Sequence, residues 1–211
     1  MNKRQFIKQC YEIIIHCTGN MFVTLRGHDE IPNDISIKND IDILLCGRFG
    51  LDTLNQQLQG IGFQVYVDQH RYIYGAEPHI QFFHNKMDVK LDFVTGLYYR
   101  SVADKMVWAT VNKEVFQSMI RNRVYDTNSL WRFRPAYEDE LVHIICHCIF
   151  DKRKTSDKYV SRINELLSLV DKDKVKYLLS CVFYAASDKV FETMSLAPEK
   201  MYETYISFME Y

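Results

Sequence analysis

Two aspartates one residue apart, Asp40 and Asp42, sit in an otherwise apolar run, Asp40-Ile41-Asp42-Ile43-Leu44-Leu45, and a third acid stands in Leu91-Asp92-Phe93. Side chains alternate along an extended strand. Ile41 and Ile43 would therefore share one face while Asp40, Asp42 and Leu44 share the other, with the two acids about 6.5 to 7 Å apart at Cα. By the same alternation Val89, Leu91 and Phe93 oppose Asp88, Lys90, Asp92 and Val94. If the two strands are neighbours, three carboxylates converge. Such a group stays ionised only around something cationic. Hard oxygen ligands suit Mg²⁺ or Mn²⁺, which in pairs can hold a triphosphate and activate an attacking hydroxyl. For a bare D-x-D a solvated strand face is the commoner case, so the elements around it matter.

Upstream, Phe6, Ile7, Cys10, Tyr11, Ile13, Ile14 and Cys17 recur at helical spacing and Gly19-Asn20 supplies a stop. A short strand over 21–25 follows, then a polar loop with Pro32, the D-I-D strand, and a helix marked by Leu51, Leu54, Leu58 and Ile61 and closed by Gly60 and Gly62. Four β-rich segments, 63–67, 71–74, 79–83 and 88–94, complete a small mixed sheet. From about Ser101 helical periodicity takes over. Val107, Val111, Val115 and Ile120 suit one helix, and 121–135 reads as loop or short strand. Leu141, Ile144, Ile145, Cys148 and Ile149 suit a helix whose acidic first turn, Glu138-Asp139-Glu140, complements its dipole. Ser156 caps a further helix, and 175–186 and 198–209 continue the pattern. The expectation is an α+β chain with a sheet-bearing core over 1–100 and a mainly helical domain over 101–211 closing a cleft.

Composition narrows the partners. The 26 Lys and Arg nearly cancel the 27 Asp and Glu, which argues against coating a long nucleic acid through bulk positive charge. The balance is uneven along the chain: residues 29–52 carry six acidic and two basic side chains, residues 97–134 seven basic and three acidic. A compact anion held through metal against a cationic wall fits that pattern. Six cysteines with no CxxC pair read as reduced intracellular thiols. No apolar run approaches the roughly 20 residues of a membrane span, and Glu12 and His16 interrupt a signal-peptide reading of the N-terminus. The expected location is the cytoplasm, without membrane insertion.

These residues together resemble the polymerase-β-type nucleotidyltransferase superfamily, in which a strand ends in a Gly-Ser or Gly-Gly turn, a D-h-D strand follows, and a third acid lies in h-D-h. Here the three elements are Leu25-Arg26-Gly27, Asp40-Ile41-Asp42 and Leu91-Asp92-Phe93. The stretch TLRGHDEIPNDISIKNDIDILL is similar to small bacterial nucleotidyltransferase-like proteins associated with surface-polysaccharide genes. Their helical half carries an H-x3-D-K element, matched from His147 to Lys152, and a Lys-Tyr pair like Lys158-Tyr159. The likeness covers roughly residues 20–160. It implies catalytic, metal-binding roles for Asp40, Asp42 and Asp92, and nucleotide contacts from Gly27, His147, Lys152, Lys158 and Tyr159, to which the charge of Arg26 adds a further candidate. The implied reaction transfers an NMP from an NTP, ATP foremost, to an acceptor hydroxyl of a small molecule or glycan precursor. A toxin-like enzyme acting on tRNA or protein, and a silent nucleotide-binding protein, are the alternatives.

The departures and extras have two readings each. Arg26 in place of a small turn residue could bind the γ-phosphate or pyrophosphate, or pair with Asp29 or Glu30. Lys152, in a cluster with Arg153, Lys154 and Lys158, could reach phosphates or be solvated, and Asp151 could orient it. Tyr159 could stack on a base or pack in the core. His143, Cys146, His147 and Cys148 lack the paired spacing of a zinc site. Arginines 121, 123, 132 and 134 interleave with Tyr125, Trp131 and Phe133, as a macromolecule contact or as a loop packed on the sheet.

Overall fold

The computed structural model describes residues 1–25, 28, 31, 33, 35–67, 72–74 and 79–209. The chain is mixed α+β and divides into two compact units. The first comprises Met1–Arg71, Ala76–Gly96 and Arg123–Arg134, the second Tyr72–Gly75, Leu97–Asn122 and Pro135–Tyr211.

In the first unit, helix α1 (Lys3–Thr18) opens with an Asn2 cap that accepts the Gln5 amide while the Gln5 side chain returns to the Asn2 amide, and it ends in the left-handed Gly19. Strand β1 (Phe22–Thr24), β2 (Ile41–Leu45), helix α2 (Leu51–Gly60), β3 (Gln64–Val67), β5 (Ile80–His84) and β6 (Val89–Val94) follow. The sheet runs β1-β2-β6-β5-β3. Only β2 and β6 are parallel; the other pairs are antiparallel. Ile41, Ile43, Leu91, Phe93 and Phe82 are fully or almost fully buried with Phe6, Ile7 and Ile14 of α1 and Leu54 and Leu58 of α2, so the helices cover the isoleucine face. Burying a Leu, Ile or Phe side chain contributes roughly 1.5 to 3 kcal/mol, which fixes which face of each strand remains for polar groups. Gly50 is required where the helices meet: its φ is +74°, and a Cβ there would lie 1.8 Å from the Cys17 carbonyl oxygen.

The second unit holds a three-stranded sheet, order β4-β8-β7, from β4 (Tyr72–Tyr74), β7 (Tyr98–Arg100) and β8 (Val107–Thr110). Two expectations are corrected here. In the expected strand 71–74, the described residues Tyr72–Tyr74 do not join the sheet of the carboxylates but pair parallel with β8. Val107 and Val111 do not belong to the helix of Val115 and Ile120: 107–110 is a strand antiparallel to β7, and helix α3 (Lys113–Arg121) starts only after the Asn112 side chain accepts the Glu114 amide. A four-residue apolar spacing fits a helix on paper, but the Val-Trp-Ala-Thr run carries β-formers and a cap follows it.

Helices α4 (Tyr137–Cys146), α5 (Asp157–Leu167), α6 (Lys172–Phe183), α7 (Ser187–Leu196) and α8 (Met201–Met209) fill the rest. α7 is a helix that the periodicity reading passed over. Every residue of α4 from Asp139 to Cys146 is buried, as befits a central helix. Its acidic first turn therefore does more than face a dipole. Glu140 receives Arg162 Nε and Nη2 at 2.8 and 2.9 Å, and Glu138 receives Lys174 at 3.3 Å, tying α4 to α5 and α6. Among the described residues no helix is long and apolar enough to cross a membrane.

Asp139, 1% exposed, is pushed above the ordinary aspartate value by burial, a rise opposed by Ser118, Lys174 and Asn122. A raised native value means that its contribution to stability is fully present below the unfolded value near 3.8 and is lost as pH climbs through the native one. Asp139→Asn, which mimics the neutral acid, should raise the melting temperature at pH 7, with the gain fading towards pH 4. Thermal melts across that range check this, and a less stable variant at pH 7 contradicts it.

Candidate metal centre

The parallel pairing of β2 with β6 sets Ile41 against Leu91, Asp42 against Asp92 and Ile43 against Phe93. Because Ile41 and Ile43 point to the helices, Asp42 and Asp92 emerge together on the other face, and Asp40, the residue before β2, joins them. One carboxylate oxygen from each of the three lies within 4.8 Å of the others. Ligand oxygens around one octahedral Mg²⁺ at about 2.1 Å are separated by about 3 to 4.2 Å, so small side-chain rotations bring all three onto one ion. Among the described residues this is the one group of three or more His, Cys, Asp or Glu side chains that could hold a metal. His143, Cys146, His147 and Cys148 form no such set.

Three further side chains shape the site. Lys90, two residues before Asp92 on the same strand face, places Nζ 2.7 Å from Asp40 Oδ2 and 3.8 Å from Asp92 Oδ2. Gln81 donates to Asp92 Oδ2 at 2.8 Å, and His79 Nδ1 lies 3.1 Å from Asp92 Oδ1. That second contact lies outside hydrogen-bond geometry, and Asp92 Oδ1 is buried without a hydrogen bond. His79 is thus the neighbour of Asp92 Oδ1, and Oδ2 is the oxygen that faces Lys90. Three carboxylates and one ammonium leave a formal charge of −2, which one divalent ion neutralises. The donor set thus fits a hard divalent cation.

Lys90 was visible in sequence on the aspartate face but had no assigned role. His79 and Gln81 were missed. Their signal was the alternation His79-Ile80-Gln81-Phe82, whose polar members meet Asp92 through the antiparallel register Gln81 opposite Asp92.

Arg26 and Gly27 lie outside the described residues. The hairpin of β9 (Val124–Tyr125) and β10 (Phe133–Arg134) folds the Arg-aromatic stretch on itself, with the Arg123 guanidinium 5.0 Å from the Phe133 ring and Tyr125 stacked on Phe133 at 4.9 Å. β10 also contacts β1, so this stretch is packed against the sheet.

In the second unit, α4 continues into a π-helical turn (His147–Lys152), a widened geometry that occurs frequently at functional sites. His147 Nδ1 donates to Asp151 Oδ2 at 2.9 Å, and Asp151 Oδ1 accepts the Arg100 amide at 3.0 Å. Asp151 is thus committed to His147 and β7 rather than to Lys152. Tyr159 meets the His147 ring edge-on at 5.6 Å. His147 is buried, Tyr159 is half-buried, and Lys152 and Lys158 are exposed. All six cysteines are free, and burial pushes the Cys10 thiol up to about 12, far from a reactive thiolate.

Mn²⁺ should stabilise the protein, by about 2.7 kcal/mol at a hundred times the dissociation constant, whereas Asp92→Asn should lose most of that gain. Lys90→Met, which removes the internal cation, should lower the metal-free melting temperature and enlarge the Mn²⁺ shift. Differential scanning calorimetry with Mn²⁺ and with a matched monovalent salt reads both effects. Equal shifts in wild type and Asp92→Asn contradict the assignment.

Neither protein-family models nor curated proteins give a match to this chain; the functional reading therefore rests on the site itself.

Proposed function

We propose that the chain is a metal-dependent nucleotidyltransferase that moves an NMP from an NTP, ATP foremost, to an acceptor hydroxyl, and that its first unit has the nucleotidyltransferase fold. The observation that carries this reading is the convergence of Asp40, Asp42 and Asp92 from adjacent parallel strands, in the order D-h-D then h-D-h. Asp40 and Asp42 would hold Mg²⁺ against the nucleotide phosphates, and Asp92 would share in binding a second ion. The bound ions would supply charge neutralisation for the phosphates and a lowered barrier to losing the hydroxyl proton. The acceptor oxygen forms a bond to the α-phosphorus as the bond from that phosphorus to the bridging oxygen breaks. Pyrophosphate departs with the electron pair, and the hydroxyl proton passes to the Asp92 carboxylate or through it to water.

Gln81 and His79 would serve this chemistry by fixing the Asp92 carboxylate. Lys90 would position Asp40 and, once metal displaces it, offer its ammonium to phosphate oxygens. Arg26, Gly27, His147, Lys152, Lys158 and Tyr159 remain the proposed nucleotide contacts. One observation favours a second reading, a silent protein that keeps the fold: Lys90 supplies a cation within the carboxylate group itself.

Isothermal titration of Mg²⁺–ATP into wild type and Asp42→Asn separates the readings. Loss of one of three carboxylate ligands should weaken binding about tenfold or more, and wild type should release pyrophosphate when a competent acceptor is supplied. Unchanged affinity in Asp42→Asn would sink the proposal.

A further inference from the structure

The second unit contains a cavity of about 250 Å³ that plays no part in the proposed metal chemistry. Its walls include Tyr99, Phe150, Tyr184 and Tyr205, and Arg100 is the one charged side chain among the described residues that line it. The aromatic wall is set by its own packing. Phe150 is stacked on Phe183 at 5.4 Å, meets Tyr205 edge-on at 5.6 Å, and lies 6.0 Å from Tyr99. Rings held this way present fixed faces and edges to a flat guest.

Two observations point to a ligand. Arg100 is held with its guanidinium 5.1 Å from the Trp108 ring, yet its Nε is buried and makes no hydrogen bond. With Nε sealed inside the protein, what the half-buried Arg100 offers an anion in the pocket is its delocalised positive charge and its terminal guanidinium nitrogens. Asp151, whose one oxygen takes the Arg100 amide, is committed by the other to His147. The N-terminus of α3 begins at the same wall with Asn112 and adds partial positive charge. The second observation is Tyr184, 71% exposed, with φ 49° and ψ −121° where α6 ends. A non-glycine residue there carries strain on the order of 1 to 3 kcal/mol, and strain of this kind clusters at ligand clamps.

We propose that this cavity is a binding pocket for a small planar aromatic anion of the benzoate class, its ring between the tyrosines and Phe150 and its carboxylate on Arg100. Size supports the class: a cavity of about 150 Å³ admits benzene, and drug-sized pockets start near about 300 Å³. One ring and one anionic group fill what is available.

Cys181 lines the pocket and Cys46, also half-buried, belongs to the other unit. Iodoacetamide labelling of the full chain, read by peptide mass spectrometry, therefore reports occupancy with an internal reference. Benzoate should slow labelling of Cys181 and leave Cys46 unchanged. Benzamide, its neutral isostere, should need about tenfold higher concentration, because charge-assisted hydrogen bonds are the stronger ones. Arg100→Gln should erase the difference between the two probes. Tyr184→Ala, at an exposed position that leaves the core intact, should weaken protection by both. Equal protection by benzoate and benzamide in wild type, no protection by millimolar benzoate, or wild-type protection in Tyr184→Ala would each overturn the proposal. None of these outcomes depends on the aspartates or on ATP.

Discussion

The parallel ladder between β2 and β6 is the constraint on which the first unit depends, because it decides at once what is buried and what is brought together. Ile41, Ile43, Leu91 and Phe93 seal one face against α1 and α2, and the register that does so puts Asp42 directly beside Asp92. A slip of one residue would turn apolar side chains out and drive carboxylates into the core. Packing therefore selects the register, and the register assembles the acids. The carboxylate group needs no separate device to align its two strands.

Convergence of three carboxylates opposes folding unless charge is compensated. Lys90 supplies part of that compensation from the same strand, two residues from Asp92, so the chain can close its sheet before any divalent ion binds. Gln81 of β5 donates to Asp92, and His79, the residue before β5, lies against its other oxygen. The residual negative charge is what a hard cation would answer. A cation bound by the three carboxylates would therefore compete with that one ammonium group.

Period-two alternation made the aspartate face legible in sequence, since Ile41-Asp42-Ile43 and Leu91-Asp92-Phe93 each announce their orientation. The other strands of the carboxylate sheet were legible as short β-rich runs. Pairing partners were harder. Nothing local in 71–74 distinguishes a strand of that sheet from one that pairs with β8, because partner choice is a long-range property. The turn of β8 into α3 misled for a related reason: Val107 and Val111 are four apart, and only the Asn112 cap shows where the helix begins. Glu138 and Glu140 were read as dipole complements, yet their partners Lys174 and Arg162 lie on other helices that spacing cannot bring together. His147 and Asp151 were adjacent on paper, but the Arg100 amide that engages Asp151 comes from β7.

The proposed reaction requires that Asp40, Asp42 and Asp92 share a metal ion with a nucleotide. A crystal structure grown with Mn²⁺ and a non-hydrolysable ATP analogue, with the ion located by anomalous scattering, tests it most directly. Mn²⁺ is expected at about 2.1 Å from a carboxylate oxygen of each aspartate and from a phosphate oxygen, with Lys90 Nζ drawn off Asp40. Mn²⁺ bound elsewhere, with Lys90 still on Asp40, would contradict it.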